Sequence, residues 1–167
     1  MAPVKKALKI ASRAPDIPIE FLSQIEGSII GVLGLSEFAL SAQEVYEGVL
    51  ISEVWRYVKI EERRGDKDAH AKGLEFEALM MSNREREAKA LFKSAPFSSY
   101  NLVSRHLEFL REGRWVECRS VKGRKAKKVW RLTEPVEAMF DKAFEKGEVF
   151  KLMAEALKSY FRAPPSP

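Results

Sequence analysis

The chain has 167 residues and a mass of 19.0 kDa, the size of one domain with elaborations. Apolar residues make up 46% and charged residues 32%, which excludes a wholly disordered chain. The longest near-continuous apolar run, Ile29 to Leu35, is far too short to cross a bilayer. The net charge is +5, concentrated in two places. Residues 1–13 hold Lys5, Lys6, Lys9 and Arg13 with no acid, and Arg119 to Arg131 holds seven basic residues in thirteen, again with no acid. A field that concentrated points to a polyanion, most simply nucleic acid, beside the plainer reading of a solvated basic hairpin.

Residues 1–18 end in Ala14-Pro15-Asp16-Ile17-Pro18 and read as a basic arm. Lys9 and Arg13 interrupt any stretch of signal-peptide length, so a secretory signal is not expected. From Ile19, the apolar positions Phe21, Leu22, Ile25, Ile29, Val32 and Leu33 predict one helical stripe. Ser36 to Leu40 is a short connector able to pair as a strand. Ser41-Ala42-Gln43-Glu44 is a capping-box pattern, and the helix it opens carries Val45, Val49, Leu50, Val54 and Tyr57 to about Ile60. Residues 61–73 are polar and glycine-bounded, and predict an exposed loop or hairpin. Leu74 to Lys93 predicts helix in two pieces, with Ser82-Asn83-Arg84-Glu85 as a second capping box.

Ser98 or Ser99 caps the next helix, and Gly113 suits its left-handed end. Val103, Leu107 and Leu110 form its buried face, with Asn101, Ser104, Arg105 and Glu108 largely opposite. Trp115 to Arg119 and Val129 to Thr133 alternate with period two around the tip Lys122-Gly123-Arg124-Lys125-Ala126-Lys127, which predicts a β-hairpin with a positive end. From Pro135 the pattern is helical again, with Val136, Met139, Phe140, Ala143 and Phe144. After Gly147 a second stripe runs through Val149, Phe150, Met153, Ala156, Leu157, Tyr160 and Phe161, stopped by Ala163-Pro164-Pro165.

The fold class is therefore mainly α with a small β-hairpin (α+β). Residues 98–133, SSYNLVSRHLEFLREGRWVECRSVKGRKAKKVWRLT, set a helix, a turn glycine, a basic hairpin and a closing Leu-Thr in order. Together with Ile29-Ile30-Gly31-Val32-Leu33 and Leu40-Ser41-Ala42-Gln43-Glu44-Val45, this block resembles the winged helix-turn-helix superfamily, especially the MarR-, PadR- and ArsR-like prokaryotic transcription regulators. The resemblance implies a winged-helix domain over 19–134, a C-terminal dimerisation unit over 135–162 and a short tail, 163–167. The departure is a gap of about forty residues, roughly 55–96, where the family has a short turn. Either that segment is an insertion, the preferred reading because Leu40 to Val45 matches better, or residues 82–93 are the true second helix.

The resemblance makes residues 98–112 the recognition helix. Short or forked side chains there, Ser98, Ser99, Asn101, Ser104 and Arg105, can address base edges in a major groove, Arg105 forking to guanine and Asn101 to adenine. Arg119, Lys122, Arg124, Lys125, Lys127 and Lys128 would lie along the backbone or in the minor groove, with the arm as an accessory. The family's habit of dimerising through flanking helices assigns Met139, Phe140, Phe144, Phe150, Met153, Leu157 and Phe161 to a homodimer contact, setting two recognition helices about one DNA turn apart. The expected function is a sequence-specific, double-stranded-DNA-binding transcription regulator in the cytoplasm, at the nucleoid. Its rivals are a nucleoid-architectural or replication-initiator winged helix, a winged-helix protein-interaction module of transcription or replication machinery, and an RNA-binding role for the same hairpin.

Other signals are weaker. Asp66-Lys67-Asp68 with Glu77 has calcium-loop spacing, but Ala71 stands where the sharp turn needs glycine. His70 and His106 have no partner at metal spacing, so no metal and no other cofactor is expected. Cys118 is the sole cysteine, which excludes an internal disulfide, fits a reducing cytoplasm and reads as a small buried hydrophobe. There is no glycine-rich phosphate loop, nucleophile elbow or His-Glu metal motif, so catalysis is not expected. Only four Asn and Gln stand beside 29 Lys and Arg and 24 Asp and Glu, an archaeal or thermophile-like balance that predicts melting above about 60 °C.

Overall fold

The computed structural model describes residues 22–122 and 127–146, with side chains as far as 142. The first helix, α1, is Gln24–Leu35. It begins later than the apolar stripe predicts, because Ser23 and Glu26 form a reciprocal capping box that fixes the start. The Ser23 amide donates to the Glu26 carboxylate at 2.8 Å and the Glu26 amide to the Ser23 hydroxyl at 3.4 Å. Leu22 and Ser23 stand outside the helix.

Helix α2, Ala42–Arg63, has the predicted Ser41–Glu44 capping box at its head and runs three residues beyond Ile60. Its face Val45, Val49, Leu50, Ile51 and Val54 is fully hidden, packed with Ile29 and Val32 of α1. Each such side chain stabilises the fold by roughly 1.5–3 kcal/mol.

Helix α3, Ala69–Met81, starts inside the stretch predicted as a loop. Asp66, Lys67 and His70 disguise it, but Ala69 is buried and Gly73 lets the helix close onto α2. A Cβ on Gly73 would lie 2.9 Å from Val58 and 3.2 Å from the Trp55 ring. The second capping box does not form. Ser82 instead ends α3, donating its hydroxyl to the Ala78 carbonyl at 3.0 Å, and Asn83 takes a left-handed φ of 58°. The short α4, Glu85–Ala90, opens on Arg84 without a side-chain cap.

Phe76 of α3 is wholly buried, stacked on Phe97 at 5.6 Å and edge-on to Phe92 at 6.2 Å. The segment 55–96 is thus the distal part of α2 plus α3 and α4, sharing one core with the rest.

Helix α5, Tyr100–Glu112, is capped by Ser99, whose hydroxyl accepts from the Leu102 amide at 3.2 Å. Val103, Leu107 and Leu110 face inward as predicted. The left-handed residue after it is Arg114, with φ 63°, while Gly113 keeps a negative φ of −78°. Strands β1, Val116–Val121, and β2, Lys127–Leu132, pair antiparallel with Val116 opposite Leu132 and Cys118 opposite Trp130. Cys118 is half-buried against the core. Both backbone groups of Trp130 bond to Leu40, at 2.7 and 2.9 Å, so the connector before α2 lies along the free edge of β2. Thr133 closes the base of the hairpin on the carbonyls of Trp115 and Arg114.

Helix α6, Glu134–Lys146, returns to α1, and Gly34 admits it. A Cβ there would stand 2.6 Å from the Phe140 ring. Phe140, assigned above to a dimer contact, is therefore buried within its own chain. Met139 is 45% exposed. The Phe144 side chain and Phe150, Met153, Leu157 and Phe161 lie outside the described residues, as do the N-terminal arm and the 163–167 tail.

Candidate nucleic-acid interface

Helical spacing sets Asn101, Arg105, Glu108 and Glu112 along the outward line of α5, opposite Val103, Leu107 and Leu110. Asn101 and Arg105 are exposed and Ser104 is half-buried beside them. Arg105 has no ion pair among the described residues. The far half of the same line is acidic, with Glu108 held by Arg111 at 2.8 Å. The first two turns are accordingly the part of α5 suited to approach a polyanion.

Two carboxylates hold α5, one just before its start and one at its middle. Glu53 of α2 accepts the Ser98 amide at 3.1 Å and the Ser98 hydroxyl at its other oxygen. Ser98, half-buried, thus ties the start of α5 to α2 with both its amide and its hydroxyl. Glu26 of α1 faces Nδ1 of His106 at 3.2 Å. Burial pushes the Glu26 carboxyl up, but the Ser23 amide, the Ser23 hydroxyl and His106 together hold it below the ordinary value. Neither carboxylate stands out in the sequence as a functional residue. The Ser23-x-x-Glu26 box is legible there, whereas a bond spanning 45 residues has no local signature.

The hairpin brings its cations to the outer end. Lys122, Lys127 and Lys128 are exposed and have no ion pair among the described residues, with Lys128 opposite Ser120 and Lys127 opposite Val121. Arg119 is drawn to Glu117 at 3.6 Å, and Arg131 bonds the same carboxylate. Arg124 and Lys125 lie outside the described residues. Trp130 and Leu132 point inward and fix the base of the hairpin on the core that also carries α5.

Among the described residues no group of His, Cys, Asp and Glu is placed to hold a metal ion, and no helix is long and apolar enough to cross a membrane. Asp66 accepts the Asp68 amide at 2.9 Å and pairs with Lys72 at 3.6 Å, so the calcium-like spacing serves the turn into α3. Compared with known proteins, the chain matches no protein-family profile, no curated protein and no solved structure.

Proposed function

We propose that this chain is a winged-helix regulator of transcription that binds double-stranded DNA in a sequence-specific manner, without catalysis. In this reading the first turns of α5 enter the major groove, with Asn101, Ser104 and Arg105 toward base edges and Ser99 toward a phosphate. Arg119, Lys122, Lys127 and Lys128 follow the backbone, joined by Arg124 and Lys125. The observation that carries the reading is the pairing of Leu40 with Trp130. It ties the helix pair α1–α2 to the same hairpin that follows α5, so an exposed polar helix end and a basic hairpin share one rigid base. The protein acts as a homodimer through Met139 and the segment beyond Lys146, which sets two α5 helices against successive turns of DNA.

The test is fluorescence anisotropy with duplex DNA, single-stranded DNA and duplex RNA of equal length. Tightest binding to duplex DNA is expected, and equal or stronger binding to RNA would defeat the reading. A second reading, a protein-interaction module, draws on Phe109, 45% exposed on the same helix. That reading expects no nucleic-acid binding and loss of a protein partner in Phe109→Ala.

A further inference from the structure

We propose a further polyanion contact on α2, made by Arg56, Lys59 and Arg63, that extends the footprint of α5 along the sugar-phosphate backbone; it rests on the DNA-binding reading above. The three cations follow i, i+3, i+7 spacing, so they share one side of the helix over two turns. At 1.5 Å per residue they span about 10.5 Å, the axial rise of about three phosphates at 3.4 Å each along one strand.

The stripe begins where α5 begins. Arg56 and Ser98 line one cavity of about 260 Å³ together with Pro96, Gln24 and Ser28. Arg56 is half-buried and aimed by a hydrogen bond to the Ser28 hydroxyl, which itself donates to the Gln24 carbonyl at 3.1 Å. A guanidinium held by a neutral hydroxyl keeps its full charge and its remaining donors.

Two of the neighbouring acids are paired with other cations, Glu61 with Arg64 at 3.2 Å and Asp66 with Lys72, while Glu53 bonds Ser98 and Glu62 faces the His70 ring at 3.8 Å. None of Arg56, Lys59 and Arg63 has an ion pair among the described residues. Three cations without an ion pair on one line, starting at the proposed reading end of α5, suit successive phosphates of a backbone better than one small anion. Glu53 lines the same cavity as Arg56 and keeps its charge at the near end, so Lys59 and Arg63 carry most of the expected contact.

The experiment compares the full chain, the triple variant Arg56→Gln/Lys59→Gln/Arg63→Gln, and the double variant Lys59→Gln/Arg63→Gln, which leaves the Arg56–Ser28 hydrogen bond intact. A control, Lys67→Gln/Arg84→Gln/Arg86→Gln, removes the same charge from exposed positions near and beyond α3. Affinity for a short random-sequence duplex is measured between about 50 and 200 mM salt, with the fold checked by circular dichroism. The slope of log affinity against log salt is expected to flatten by about 0.9 for each phosphate no longer neutralised, nearly two units in the double variant, with no change in the control. An unchanged slope in the double variant, or an equal fall in the control, overturns the stripe while leaving the DNA reading standing. Absence of duplex binding by the unaltered chain overturns both.

Discussion

Glu53 holds Ser98 by both its amide and its hydroxyl, which fixes the approach to α5 from the middle of α2. The bond joins the start of the helix that carries Asn101 and Arg105 to the residues just before the 55–96 segment. The placement of the proposed reading helix is therefore tied to a carboxylate on another helix.

Removing that carboxylate tests the relationship. Glu53→Ala leaves the Ser98 amide without its partner and is expected to lower stability by about 1–3 kcal/mol, the range for a donor left unsatisfied. Glu53→Gln keeps acceptor and shape and should lose less. Urea unfolding midpoints of the two variants, read against duplex affinity, check whether helix placement and binding fall together.

Two buried carboxyls give opposite pH dependences. Burial raises the Glu77 carboxyl above its ordinary value, outweighing the Trp55 indole N–H that donates to it at 2.6 Å and the nearby His70. The folded chain then binds a proton more tightly than the unfolded one, so this group costs stability as pH rises past the ordinary glutamate value near 4.5. Glu77→Gln should be neutral or stabilising at pH 7, and the gain should vanish near pH 4. Glu26 is held low, so its contribution is full above that value and is lost as pH falls through it. Glu26→Gln should accordingly destabilise at pH 7. Unfolding curves of both variants at several pH values read the two signs directly.

The packing between α1 and α6 has no spare room. Gly34→Ala would drive a methyl into the Phe140 ring, which stands 2.6 Å from the ideal Cβ position. Overpacking of this kind costs about 1–3 kcal/mol. The melting temperature should drop, and Phe140→Leu in the same chain should recover part of the loss.

Base reading and backbone contact separate by mutation. Arg105→Ala should relax sequence preference and cost about 1–3 kcal/mol on the preferred duplex. Lys128→Ala should weaken every duplex alike and flatten the salt slope by about one unit. Competition with preferred and random duplexes distinguishes them, and identical behaviour of the two variants contradicts the assignment of α5.

The parts of the fold legible in the sequence are those with local causes. The Ser41–Glu44 box, the Val103-Leu107-Leu110 stripe and the alternating strands are each written in neighbouring residues. Misplaced features depend on distant partners. Residues 69–73 follow a charged stretch and hold one apolar pair, Ala69 and Ala71, too few to show a helical stripe, yet they are helical, with Ala69 buried and Gly73 close to Val58 and Trp55 of α2. Ser82 has the chemistry of a cap, but it closes the helix before it. Ser98 looks unattached in the sequence, but it bonds Glu53, 45 residues away. The stripe at Arg56, Lys59 and Arg63 is hidden in the sequence because α2 carries five acids beside these three cations, and only the structure shows which of them form ion pairs.

Sequence-specific recognition of duplex DNA is the proposed activity. Its most direct measurement titrates the protein against a pool of genomic duplex fragments at about 0.15 M salt, where surface charge is partly screened, and sequences what is retained. A short palindromic motif is expected, its half-sites one helical turn apart. Retention without a motif, or no retention, would contradict it.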